Sequence, residues 1–263
     1  MDYQLDPNWT LEPIGGDTGE AFLASNSNER VFMKRNSSPF LAVLSMEGIA
    51  PRLIWTKRTS NGDILTAQEW LPGQVLSDNE MRDNQVINLL HEYHHSEYLN
   101  NMLMKIGGVI YNPIDFVHDF DRDLHPHLKE HSFLSEVKHY LEETIIYIEQ
   151  APKTVCHGDL NRRNFLISDQ NRLYLVDWEM VKIADPMSDI AQILVQYVPM
   201  ESWGEWLERY GIELNANHYC RLEWYSLMSL LTLIKKDFKE ERFVAVNEKI
   251  LLLKHIFKNR YYQ

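Results

Sequence analysis

The chain has 263 residues, of which 44% are hydrophobic and 24% charged, enough to bury a substantial core as one large domain or two modest lobes. A formal net charge of -12 excludes a general nucleic-acid binder, because phosphate backbones attract clustered lysine and arginine. The acidity reads first as a source of solubility.

The N-terminus "MDYQLDPNW" has neither the basic region nor the apolar core of a signal peptide, and the chain has two cysteines, Cys156 and Cys220, so a cytoplasmic protein is expected. From there to residue 70 the pattern is that of a small antiparallel sheet: "WTLEPI", "EAFLAS", "RVFMKR", "RLIWTK" and "ILTAQEW", joined by glycine-rich or polar turns. Between Lys34 and Arg52 only a short helix fits, since Pro39 and Pro51 bracket it. After "LPG" at 71–73 apolar residues recur at helical spacing, first at Val86, Leu89, Leu90 and Tyr93, then from Phe133 to Ile148. Residues 154–177 interrupt this with "TVCH", "NFLIS" and "RLYLVDW", a strand and a hairpin. Helical spacing resumes at Ile190 and runs to the C-terminus; its most apolar window, "SLMSLLTLI", is too short for a membrane span and reads as a buried helix. A sheet-rich lobe over 1–72 followed by a helix-rich lobe over 73–263 predicts an α+β fold, with a hinge and cleft at 68–73.

Moving a phosphoryl group from a nucleotide to a hydroxyl requires a carboxylate beside the attacking oxygen, oxygen ligands for magnesium, and a cation on the phosphates. Asp159 and Asn164 lie five residues apart in "HGDLNRRNFL", and Asp177 ends the next strand, so one could face the acceptor while the others share a metal ion. In "VFMKR", alternation puts Phe32 and Lys34 on one face and Val31 and Met33 on the other. A strand lysine is more often solvated than bound to phosphate, and Gly15, Gly16 and Gly19 in "GGDTG" make a hairpin turn as readily as a phosphate cradle. Their order along the chain is the order that nucleotide-dependent kinases use.

"HGDLNRRNFL" followed by "LVDWE" resembles the aminoglycoside phosphotransferase and choline kinase superfamily, a protein-kinase-like fold of two lobes whose signature is His-x-Asp with Asn five beyond the Asp. Within it, "NSSPFLAVLSMEGIAPRLIW" and "AQEWL" resemble a Gram-positive, choline-kinase-like branch tied to cell-cycle control, the cell cycle regulator Z or YtmP type. The resemblance implies ATP and magnesium as cofactors and a small hydroxyl compound as acceptor, ribosyl or deoxyribosyl in the narrower branch, with links to replication and cell-division proteins. It makes Asp159 the base, Asn164 and Asp177 the magnesium ligands, and Lys34 the phosphate contact, with Glu47 either an acidic partner for Lys34 or a surface glutamate beginning a turn. Hinge groups around Glu69, Trp70 and Leu71 would meet adenine, and Asp189 would brace the catalytic loop. Arg162 and Arg163 stand where an anion or acceptor could be met, or are simply solvated, and His157 shapes the loop through hydrogen bonds.

Other motifs carry less. "HEYHH" at 91–95 fits a zinc-protease pattern, yet no third ligand follows and the apolar spacing accounts for the helix without metal. Cys156 reads as a small buried side chain, not a nucleophile. Trp203, Trp206, Trp224 and Tyr225 could cage a quaternary ammonium such as choline, but their helical spacing favours core packing.

Overall fold

The computed structural model describes residues 9–14, 21–27, 29–71 and 74–260. Along the chain run β1 (Thr10–Pro13), β2 (Ala21–Ser25), β3 (Arg30–Arg35), α1 (Phe40–Met46), β4 (Leu53–Arg58), β5 (Ile64–Glu69) and β6 (Gln74–Val75). Then come α2 (Asn84–His94), α3 (Glu97–Lys105), α4 (Pro113–Asp121), α5 (Pro126–Lys129), α6 (Ser132–Thr144), β7 (Thr154–Cys156), β8 (Phe165–Ile167) and β9 (Leu173–Leu175). The last are β10 (Lys182–Ala184), α7 (Met187–Tyr197), α8 (Trp203–Tyr210), α9 (Ala216–Lys239) and α10 (Phe243–Lys258). The fold is α+β. Two compact units emerge, one of residues 1–77, 97–107 and 161–180, the other of 78–96, 108–160 and 181–263.

In the first unit five antiparallel strands are ordered β1-β2-β3-β5-β4. One face buries Ala24, Val31, Met33, Leu65 and Ala67, with Trp9, Phe22 and Trp55 packed against them. Because side chains alternate along a strand, burying Val31 and Met33 turns Phe32 and Lys34 to the opposite face. Each large side chain sequestered this way is worth about 1.5–3 kcal/mol. The helix after β3 is as short as its prolines require, with Pro39 at its N-cap and Glu47 at its C-cap. A second sheet of β6, β8 and β9, and the helix α3, belong to the same unit.

In the second unit the 24-residue α9 is the central element, packed against α7, α10, α6 and α4. Asn215 caps its N-terminus by accepting from the His218 amide at 3.0 Å. The "SLMSLLTLI" window is its buried heart: Leu227, Leu230, Leu231 and Ile234 are fully enclosed. Among the described residues no helix is long and apolar enough to cross a membrane. A two-stranded ribbon, β7 against β10, pairs Lys182 with Cys156 and Ala184 with Thr154, and the chain leaves β7 directly into the His157–Asp159 motif. Behind it, Asp185 takes Arg221 through Nε at 2.7 Å and through Nη2, and also accepts from the Met187 amide at 2.9 Å. Burial lowers the Arg221 pKa, but the Asp185 carboxylate outweighs that and leaves it raised.

Candidate active site

In the first unit, Lys34 projects from β3 on the face away from the sheet core, and its Nζ meets Asp177 Oδ1 at 3.0 Å and Glu179 Oε1 at 2.5 Å. Burial pulls the Lys34 pKa down, and the hydrogen bonds from Glu179 and Asp177 more than offset it, so the ammonium is held above its ordinary value. Asp177 follows β9 with φ of 65°, the left-handed region that few non-glycine residues enter. Asn164 precedes β8, and its carbonyl accepts from the Val176 amide at 2.9 Å. With Phe165 opposite Leu175, that bond puts Asn164 and Asp177 at the same end of one antiparallel pair. A carboxamide, a carboxylate and the nearby Glu179 form a hard oxygen donor set of the kind magnesium takes, so the residues fit that ion.

The other expected nucleotide contacts are distributed unevenly. Gly15, Gly16 and Gly19 lie outside the described residues. Glu47 is exposed at the end of α1, while the carboxylates on Lys34 are those of Asp177 and Glu179. At the end of β5 the Glu69 amide donates to the Arg52 carbonyl at 2.8 Å, so that donor is already engaged; Trp70 and Leu71 follow beyond the strand. Gln68 is buried beneath, its Nε2 donating to the Pro51 carbonyl at 2.9 Å. Arg162 donates through Nη1 to the Leu76 carbonyl at 3.2 Å, and Arg163 is exposed.

In the second unit the loop after β7 hangs on one buried carboxylate. Asp189 Oδ2 accepts from the His157 amide at 2.7 Å and Oδ1 from the Gly158 amide at 3.0 Å. Oδ2 also takes the Tyr93 hydroxyl at 2.7 Å and His94 Nε2 at 3.2 Å. A carboxylate only accepts, so His94 carries a proton on Nε2, and in the neutral ring Nδ1 accepts from the Tyr210 hydroxyl 2.8 Å away. Burial by itself would raise the Asp189 carboxyl; His94, His157 and Tyr93 reverse that and hold it at about 2. Gly158 has φ of 85°, which lets its amide turn to the carboxylate. His157 is fully buried, and its Nδ1 accepts from the Asp159 amide at 3.2 Å. The Leu160 amide reaches Gln192 Oε1 at 2.8 Å. Asp159 itself is partly exposed, with Lys236 Nζ of α9 3.7 Å from its Oδ1.

The decoy motifs resolve into packing. His91 and His95 stack at 4.0 Å, and His95 Nδ1 lies 2.9 Å from the His91 carbonyl. Among the described residues the cluster of metal-ligand type is His94, Cys156 and Asp189, and its chemistry is otherwise committed. Asp189 already accepts four hydrogen bonds, and burial pushes the Cys156 thiol well up from its ordinary value. Trp206 is fully buried against Tyr210, and Trp224 donates to the Leu141 carbonyl at 3.0 Å, so these aromatics are core.

The sequence model of the phosphotransferase enzyme family, APH, matches residues 11–225. The chain belongs to the phosphotransferase enzyme family. Its fold is protein-kinase-like. It is similar to the crystal structure of choline kinase LicA from Streptococcus pneumoniae, with a TM-score of 0.69 and 16% identity over 94% of this chain and 93% of that one. It is also similar to the GDP complex of aminoglycoside 2'-phosphotransferase-IIIa, with a TM-score of 0.64 and 13% identity over 98% and 95%. A shorter stretch of 64 residues is 38% identical to Protein LicA of Haemophilus influenzae, covering 24% of either chain. Asp159 belongs to the second unit, and Asn164 and Asp177 to the first. Glu179, Lys236 and the Tyr93–His94 pair escaped sequence reasoning; for Glu179 the one available signal was its place two residues after Asp177.

Proposed function

We propose that the chain is a cytoplasmic small-molecule kinase that transfers the γ-phosphate of ATP to a hydroxyl of a ribosyl or deoxyribosyl compound. The observation that carries the nucleotide-dependent part of this reading is the ion pair between Lys34 and Asp177, 143 residues apart in sequence and 3.0 Å apart in space; the ribosyl acceptor rests on the family resemblance. In this reading the pair brings a phosphate-binding ammonium and a metal-binding carboxylate to one place, two of the parts that phosphoryl transfer uses. Family membership and the AMP and GDP complexes of the structural neighbours support nucleotide use.

In this reading Asn164 and Asp177 would hold magnesium, which would supply neutralisation of charge on the phosphates. Lys34 exchanges part of its pairing with Asp177 and Glu179 for phosphate oxygen. The hinge around Glu69, Trp70 and Leu71 would meet adenine, and the "GGDTG" stretch with Gly15, Gly16 and Gly19 would meet phosphate. Asp159 takes the proton of the acceptor hydroxyl as that oxygen bonds to the γ-phosphorus and the bond to the ADP oxygen breaks. Asp189, which accepts the His157 and Gly158 amides, fixes the loop that carries the base. Arg162 and Arg163 remain candidates for acceptor contact.

A choline, ethanolamine or aminoglycoside acceptor is the second reading, favoured by the likeness to choline kinase LicA and to aminoglycoside 2'-phosphotransferase-IIIa. A role in cell-cycle control through division or replication proteins rests on the resemblance of "NSSPFLAVLSMEGIAPRLIW" and "AQEWL". The test is a mass-spectrometric screen of the purified chain with magnesium and ATP against ribose, deoxyribose, nucleosides, choline and aminoglycosides. A phosphorylated ribosyl compound supports the first reading, a phosphorylated choline or aminoglycoside the second. ATP binding without any product would instead mark a kinase-fold regulator.

A further inference from the structure

Lys182, the first residue of β10, is paired in register with Cys156 and is only 6% exposed. No described residue gives its Nζ a hydrogen-bond acceptor or an ion-pair carboxylate. The nitrogen instead stands 4.2 Å from the centre of the Tyr111 ring and 5.2 Å from that of Phe116. Both distances fall within the reach of roughly 6 Å over which an aromatic face attracts a cation. The two rings meet edge to face at 5.5 Å and 80°, making a corner, and Tyr225 backs Phe116 at 5.6 Å. Tyr111 is fixed by its hydroxyl, which donates to Asp119 Oδ2 at 2.9 Å. Burial lowers the Lys182 pKa, and the carboxylates of Asp189 and Asp119 act against that.

A lysine normally extends its ammonium into water, because three N–H donors left without acceptors are costly to bury. Here the compensation the described residues supply is two π faces with a carboxylate behind one of them. That surrounding suits a cation with no N–H to satisfy, which is the chemistry of a quaternary ammonium group. A lysine tethered at the corner competes with any free cation at high effective concentration. The corner also adjoins the reaction chemistry along the chain, since Cys156, opposite Lys182, is three residues before Asp159.

We propose that Lys182 is the resident cation of the Tyr111–Phe116 corner, and that its occupancy makes the enzyme refuse quaternary-ammonium alcohols as phosphate acceptors. The second clause rests on the kinase reading; the occupancy does not. Lys236, beside Asp159, adds a second ammonium that would repel a cationic acceptor.

The test uses the full chain and tetramethylammonium, followed by calorimetry and ligand-observed NMR. Lys182→Ala is expected to bind it at least tenfold more tightly than wild type does, and adding Tyr111→Leu should remove that gain. A folded Lys182→Ala protein with no gain overturns the proposal, as does wild-type binding that depends on Tyr111. Should Lys182→Ala not fold, the Lys182 ε-methylene protons of the wild type serve, assigned with Lys182→Arg. Ring currents should move them upfield of every other lysine, and an ordinary shift overturns the occupancy. Choline turnover by wild type overturns the refusal while leaving the kinase reading intact. Absence of turnover with any acceptor overturns the kinase reading and the refusal with it, while the tetramethylammonium gain still supports the occupancy.

Discussion

Asp189→Asn tests how the loop that carries Asp159 is held. The carboxylate accepts from two backbone amides, a tyrosine hydroxyl and a histidine ring. A carboxamide of the same shape has one accepting atom, so if its oxygen serves His157, Tyr93 and His94, its NH2 must face the Gly158 amide. Two contributions follow. The carboxyl sits at about 2 in the folded chain against a reference of 3.8, and that difference corresponds to about 2 kcal/mol at neutral pH. Leaving the Gly158 donor buried without an acceptor adds about 1–3 kcal/mol. The total expected at pH 7 is therefore about 3–5 kcal/mol, read as the difference in urea-unfolding free energy between the two proteins. The sign with pH is fixed: a depressed carboxyl stabilises above its unfolded value and loses that contribution as pH falls through the folded one. The gap between wild type and variant should thus shrink by about 1 kcal/mol between pH 7 and pH 3. A loss below about 0.5 kcal/mol at pH 7, or a gap that does not change with acid, refutes this view of the loop.

Arg221→Met leaves Asp185 charged and buried without its partner, and should lower the unfolding free energy by about 3–5 kcal/mol; a near-neutral change in the same urea titration would contradict the pairing. Asp177→Ala removes a proposed magnesium ligand and one of the two carboxylates on Lys34, so calorimetry should show weaker binding of magnesium-ATP; unchanged affinity counts against the assignment. Treatment with a chelator should leave the melting temperature where it was, because His91 and His95 stack on each other with no metal between them in this account. A fall reversed by added zinc would restore the metal reading of "HEYHH".

Much of this was legible where one local rule had a single solution. The alternation in "RVFMKR" fixed the face of Lys34, because Val31 and Met33 must enter the core together. Pro39 and Pro51 bounded α1 for the equally local reason that proline ends helices. The fold was readable from "HGDLNRRNFL" because the family signature compresses the loop between β7 and β8 into ten residues. Contacts distant along the chain were not readable. The family resemblance offered Glu47 for Lys34, whereas the carboxylates that meet it come from beyond residue 170, and no propensity reports that separation. Tyr93 and His94 looked like ordinary positions of an amphipathic helix, and only the fold brings them to Asp189. Lys182 was invisible for a statistical reason: in a short strand a lysine is expected in water, and nothing local marks the exception.

The most direct test of the central claim is single-turnover phosphoryl transfer by Asp159→Asn, with magnesium-ATP affinity measured on the same protein. Loss of the proton acceptor should slow transfer by about 10² to 10⁴ and leave nucleotide affinity unchanged. Transfer at the wild-type rate would contradict the account, because the hydroxyl proton would then have another destination.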